Sequence, residues 1–320
     1  MVEDKMLVDQ LWDLAHIPRA ESLICDLGPS FPELAATIGD GRGVVASVQH
    51  RGGAPSAGGE GIWWWRDDIP SGFPFLGEGM RVRLMPLLEG VPCRVHGMVL
   101  NGRTAVFPPL ELLSLPRPDR GTFLWAGAVP LGRTEPELEK AARRAGAFLD
   151  GAFAYRGPFA ADGILTAYGF LPTELTTRLT SAFEGSDPFV RVMLHAATIL
   201  ARENADLPAI EELAAAALTS SRIDIYGLAT RASEDASECS LAWAADGPHL
   251  SAQPVHGHMT LRPWVRGWQL HARLNLADLP GRPVGMYAPQ LFALADKTFG
   301  TDFGTVTPPF GVTVPAPRLP

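Results

Sequence analysis

The chain has 320 residues, 46% hydrophobic and 19% charged, enough to bury a full core and to hold two domains. Its 35 acidic and 27 basic side chains leave a net charge of −8, which excludes the basic footprint that nucleic-acid backbones require. No apolar run reaches the roughly 18 residues of a membrane helix, and the start Met1–Asp13 has neither a basic leader nor an apolar signal core, so a cytoplasmic globular protein is expected.

In chain order, Asp4–Ala15 places Met6, Leu7, Leu11, Trp12 and Leu14 at helical spacing before Pro18. Gly43–Gln49, the glycine-rich His50–Gly61 and the aromatic Ile62–Arg66 read as strand, loop and strand. Met80–Pro86, Pro92–Leu100 and Arg103–Phe107 are strand-like, with Asn101-Gly102 as a two-residue hairpin turn between the last two. Glu135–Phe153 carries one apolar helical face and three glutamates near its start, where they complement the helix dipole. Gly157–Thr166 and Phe170–Arg178 then read as two strands joined at Ala167-Tyr168-Gly169. After residue 186 come two alanine-rich helices, Pro188–Glu203 and Pro208–Leu218, an aromatic strand-like segment Met259–Leu276, and a helix at Pro289–Phe299. The Pro-rich end around Pro308–Pro320 is expected to lie extended. Cys25, Cys93 and Cys239 are odd in number and widely spaced, the pattern of reduced structural thiols.

Strand alternation puts Glu174, Thr176 and Arg178 on one side of their strand. If the preceding strand pairs with it, Asp162 joins them, giving oxygen ligands of the kind magnesium accepts with phosphates, and Arg178 as a bidentate phosphate partner. Spacing alone leaves a solvated strand face with an ordinary Glu–Arg pair as the plainer alternative.

The stretch Tyr155–Arg178, with Asp162 on one strand and Glu174-Leu-Thr-Thr-Arg178 on the next, resembles the end motif of ATP-grasp ligases, an acidic strand followed by Glu-x-Asn-x-Arg. Arg81–Pro92 is similar to their adenine-binding hinge strand, and Asp4-Lys5 to the pair that often opens the module. The wording Tyr155-Arg-Gly157, Phe170-Leu-Pro-Thr-Glu174 and Phe107-Pro-Pro-Leu-Glu111 resembles most the actinobacterial relatives of the pheganomycin-type peptide ligase. The resemblance implies an α+β protein. Residues 1–185 would form an ATP-grasp domain of antiparallel sheets with helices and a glycine-rich lid around 43–66, and 186–320 a C-terminal mixed α/β domain of helices and strands. It further implies ATP and Mg²⁺ as cofactors and an ATP-dependent ligase joining a small-molecule or peptide carboxylate to an amine. Asp162, Glu174 and Thr176 would be metal ligands, with Glu174 and Arg178 catalytic. Met85, Leu87, Leu88 and Glu89 would lie at adenine and ribose, His50, Arg51, Gly58 and Gly59 over the phosphates, and Glu111, more weakly, along the site.

Thr176 replaces the family's asparagine, the strand before the lid lacks the usual lysine, and the chain opens where a front domain usually precedes. These departures imply a rival: a catalytically reduced ATP-grasp protein serving as a nucleotide-binding or scaffold subunit. They also imply completion of the cleft by a second copy or a separately encoded partner. His256-Gly-His258 has no third ligand at metal spacing, so a surface or core role is expected. No Lys-Ser/Thr follows the lid glycines, so they do not form a P-loop, and Trp63-Trp-Trp65 must send at least one ring into a core.

Overall fold

The computed structural model describes residues 3–28, 30–48, 61–66, 80–183, 188–200, 206–233, 237–244, 247–253, 256–265 and 267–312. Helix α1 (Val8–Leu14) is followed by β1 (Leu23–Asp26), α2 (Phe31–Gly39), β2 (Val44–Val48), β3 (Ile62–Trp65) and β4 (Arg81–Pro86). Next come β5 (Val91–Leu100), β6 (Arg103–Val106), β7 (Leu110–Arg117), β8 (Thr122–Pro130), α3 (Pro136–Phe153), β9 (Gly157–Thr166) and β10 (Gly169–Thr176). Helices α4 (Pro188–Leu200) and α5 (Leu207–Leu218) lead to β11 (Arg222–Ala229), β12 (Ser237–Ala244), β13 (Gly247–Ser251), β14 (Gly257–Trp264), β15 (Gly267–Asn275) and α6 (Ala288–Phe299).

Ten strands form one sheet in the order β1-β4-β2-β3-β8-β7-β5-β9-β10, with β6 paired to β5, and five form a second in the order β11-β15-β14-β12-β13. The expected hairpin at Asn101-Gly102 is present, both residues having positive φ as its tight turn demands. The single segment expected over Met259–Leu276 is instead the hairpin β14–β15, broken near Val265, and the strand expected over Phe170–Arg178 stops at Thr176.

Four apolar clusters anchor these elements. Helix α2 covers β2 and β4, with Trp63 and Trp65 at the margin of that cluster. Trp64, pointing the other way, faces across the sheet from them. Helices α1 and α3 bury Val8, Trp12, Leu138 and Leu149 against Cys93, Val95 and Val99 of β5. Helices α4 and α5, which follow residue 186, pack on the opposite face of the same strands through Leu194, Ala214 and Leu218 against Met98 and Phe107. The second sheet and α6 share a core with β7 and β8. No helix among the described residues is long and apolar enough to cross a membrane.

Candidate functional site

Because Cys93, Val95 and Val99 point toward α1 and α3, alternation turns Arg94, His96 and Met98 to the other face of β5. Strand register then builds two rows across that face. Arg94 stands opposite Asp162 of β9, which stands opposite Glu174 of β10; one step along, His96 aligns with Ala160 and Thr176. A bulge between Pro172 and Glu174 inserts Thr173 as the extra residue. Without it Glu174 would point to the other face; the bulge aims it beside Asp162. Gly163 makes the bulge possible, since a Cβ there would lie 2.3 Å from the carbonyl oxygen of Leu171.

The two expected carboxylates are therefore brought together, but in different settings. Arg94 donates to both oxygens of Asp162, Nε to Oδ1 and Nη2 to Oδ2, each at 2.6 Å, with side chains only 10% and 15% exposed. Glu174 is 32% exposed and has Lys5 Nζ at 3.6 Å. Burial pushes its carboxyl above the usual range, Lys5 pulls it back and the Asp162 charge raises it again. Thr176 is buried on the same face as Glu174. Arg178 lies beyond the strand end and is exposed, so the structure does not bring it into the carboxylate row. His96 is fully buried, its Nε2 2.9 Å from Thr180 Oγ1, and burial followed by the Arg94 charge holds it neutral.

Residues near the chain start tie this edge down. Glu3 accepts from the backbone N–H of Thr177 at 2.6 Å, and Asp9 takes a bidentate pair from the buried Arg83 at 2.8 and 2.6 Å. Arg83 also donates to the carbonyl of Thr173 in the bulge. The pair Asp4-Lys5 is legible in the sequence as part of this module, while the roles of Arg83, Arg94 and Asp9 are not. The available signal was two arginines inside otherwise apolar strands, which must find an anion when buried.

At the hinge, Met85 and Leu87 are buried, Leu88 is half-buried and Glu89 is exposed and paired with Arg66 at 2.9 Å. The Leu87 N–H donates to the Gly43 carbonyl and the Gly90 N–H to that of Phe310, both at 2.8 Å. The Phe310 ring sits edge-on to Trp64 at 4.7 Å with the Arg66 guanidinium 4.9 Å above it. The Pro-rich end thus packs on the hinge through Phe310. His50, Arg51, Gly58 and Gly59 lie outside the described residues.

Glu111 does not line this face. It pairs with Cys93, so it points to the opposite side of the sheet, where it is fully buried and accepts from the N–H groups of Val284 and Gly285 at 2.8 and 2.6 Å. Burial pushes its carboxyl up to about 7 against the pull of those two bonds. His256 is likewise structural: its Nδ1 accepts the Trp243 N–H at 2.6 Å. The three cysteines are unpaired, as expected. Among the described residues, no three His, Cys, Asp or Glu side chains converge as a ready metal cage.

The arrangement is similar to that of a carboxyaminoimidazole ribonucleotide synthase from Aspergillus clavatus, solved in complex with ATP. That protein is 13% identical, with 92% of this chain and 73% of that one covered at a TM-score of 0.52. This chain has the ATP-grasp fold. Also similar are the N5-carboxyaminoimidazole ribonucleotide synthetase of Thermotoga maritima (15% identity, 96% and 72% covered, TM-score 0.48) and its phosphoribosylamine–glycine ligase (15%, 97% and 78%, 0.48). No protein-family model and no curated protein matches the chain. The carboxylate row combines polar side chains, partial exposure and a β-bulge.

Proposed function

We propose that the chain is an ATP-dependent carboxylate–amine ligase, forming a peptide or amide bond through an acylphosphate in the manner of the pheganomycin-type ligases it resembles. One observation carries this: in an ATP-grasp fold, a bulge sets Glu174 directly beside Asp162 on adjacent strands. A carboxylate in that position suits magnesium, which binds through one or two carboxylates plus substrate phosphates and retains water on its other positions. Glu174, partly exposed, would hold the ion, with Thr176 next along the face; bound there, magnesium would supply charge neutralisation for the phosphates. The backbone of Met85–Leu88 and the Glu89 side chain would hold adenine and ribose, the glycine-rich lid with His50, Arg51, Gly58 and Gly59 would cover the phosphates, and Arg178 would reach them from the strand end. The rest of catalysis is positioning of a carboxylate and an amine with exclusion of water.

The engagement of both Asp162 oxygens by Arg94 favours a second reading, a nucleotide-binding or scaffold subunit with reduced chemistry. Titration calorimetry with ATP, with and without Mg²⁺, followed by an ATP-turnover assay over a panel of carboxylates and amines, separates the two. Binding with turnover supports the ligase, and binding without turnover in any pairing supports the subunit. No binding at all removes both.

A further inference from the structure

We propose that Arg94 is a built-in counter-ion that withholds Asp162 from metal, so that the site takes a divalent ion on Glu174 alone and only together with nucleotide phosphates. This rests on the nucleotide-binding reading above and departs from the two-carboxylate arrangement that the resemblance implies. The guanidinium lies side-on to the carboxylate with both bonds at 2.6 Å, so its positive charge occupies the space in front of both oxygens where a cation would approach. The pair is set by strand register, Arg94 directly opposite Asp162, and not by the reach of a long surface side chain. Both partners are largely buried, so expelling Arg94 would strand an unpaired charge away from water, a strongly unfavourable outcome.

Glu174 is held less firmly. Its partner Lys5 has Nζ at 3.6 Å, a longer contact than the two 2.6 Å bonds from Arg94 to Asp162, and a third of the Glu174 side chain meets solvent. Two cations, Arg94 and Lys5, already balance the two carboxylates, so the cluster presents no net negative charge to a free dication. The missing negative charge is available from the phosphates of a nucleotide.

Mn²⁺ serves as the probe, with free Mn²⁺ read by electron paramagnetic resonance on the purified full chain, in the presence and absence of ATP. The wild type is expected to bind no Mn²⁺ without ATP at micromolar concentrations and a single ion with it. Arg94→Met frees Asp162 and should raise nucleotide-free Mn²⁺ affinity by roughly tenfold or more, and in the presence of ATP Glu174→Gln should lose roughly tenfold while the double variant Arg94→Gln/Asp162→Asn, which removes the buried pair without changing net charge, alters it little. Arg94→Gln serves as a second variant if the methionine form fails to fold, with circular dichroism confirming the fold of each. Equal losses in the double variant and in Glu174→Gln, or unchanged Mn²⁺ binding in both single Arg94 variants, would overturn the proposal. A wild type that binds no ATP in any condition defeats the nucleotide reading instead, and the nucleotide-free comparison of wild type with the Arg94 variants still decides whether Arg94 shields Asp162.

Discussion

Glu111, enclosed on every side and held by two backbone N–H groups, should make stability depend on pH. Its folded-state value, about 7, lies above the ordinary 4.5, so between those limits the folded chain carries a proton that the unfolded chain does not. Its contribution is therefore complete below the ordinary carboxylate value and is lost as pH rises through about 7, a difference of at most about 3 kcal/mol. Urea midpoints measured at pH 6 and pH 8.5 should be higher at the lower pH. Glu111→Gln should flatten that difference while costing about 1–3 kcal/mol at pH 6, because one of the two buried N–H groups loses its acceptor. Legibility at this scale was uneven. Asp162 and Glu174 were found because their motif lies within a short stretch of chain. Arg94 was one charge inside an apolar run, and nothing local to it reveals a partner 68 positions away. The same holds for Arg83 and Asp9, 74 apart. Glu111 was misplaced because motif spacing says nothing about which side of a strand faces a cleft.

Between elements, the bulge of β10 is the sensitive joint. A methyl group on Gly163 would collide with the Leu171 carbonyl, and backbone cannot yield as a side-chain tip does. Gly163→Ala is therefore expected to destabilise by about 1–3 kcal/mol, with ATP affinity falling further than the stability loss alone explains, since Glu174 is turned away. Thermal unfolding and calorimetry on the same sample check both parts; a stable variant with intact ATP affinity would show that the bulge is dispensable. At the hinge, Phe310→Ala removes an edge-on aromatic contact and should cost about 1–3 kcal/mol in denaturant unfolding. Elements with a strong local pattern were readable from the sequence: α3, β9 and the β5–β6 turn agree closely with their expected limits. Helix α2 was missed because its nine residues leave few turns over which an apolar face can repeat. Strand β7 was missed because most of its residues are buried on both faces, which erases the alternation that identifies a half-buried strand.

For the whole molecule, the shared core of the two sheets decides how it unfolds. Leu113 and Leu115 of β7 and Leu124 of β8 lie in one cluster with Ile225, Leu270 and Phe292, so neither sheet keeps a complete core without the other. Leu113→Ala should cost about 2–5 kcal/mol, and tryptophan fluorescence and far-ultraviolet circular dichroism should report the same lowered midpoint. Two separate transitions would show that the second sheet folds independently. This coupling was not visible in the sequence, where the change in character after residue 186 suggested a break; α4 and α5 instead bury their apolar residues on the first sheet.

Glu3, Lys5 and Asp9 hold the bulged strand, while Phe310 closes against the hinge, some 300 residues later along the chain. A ribosome releases these two contacts at very different times. The strands that carry Asp162 and Glu174 can pair once residue 176 has emerged, yet the hinge keeps its Gly90 N–H and the Trp64 ring uncovered until residue 310 is out. Between residues 176 and 310 a nascent chain is thus expected to hold its paired carboxylate strands beside an uncovered hinge, so, on the nucleotide-binding reading proposed above, stalled chains that end in that interval should capture ATP more weakly than the released protein.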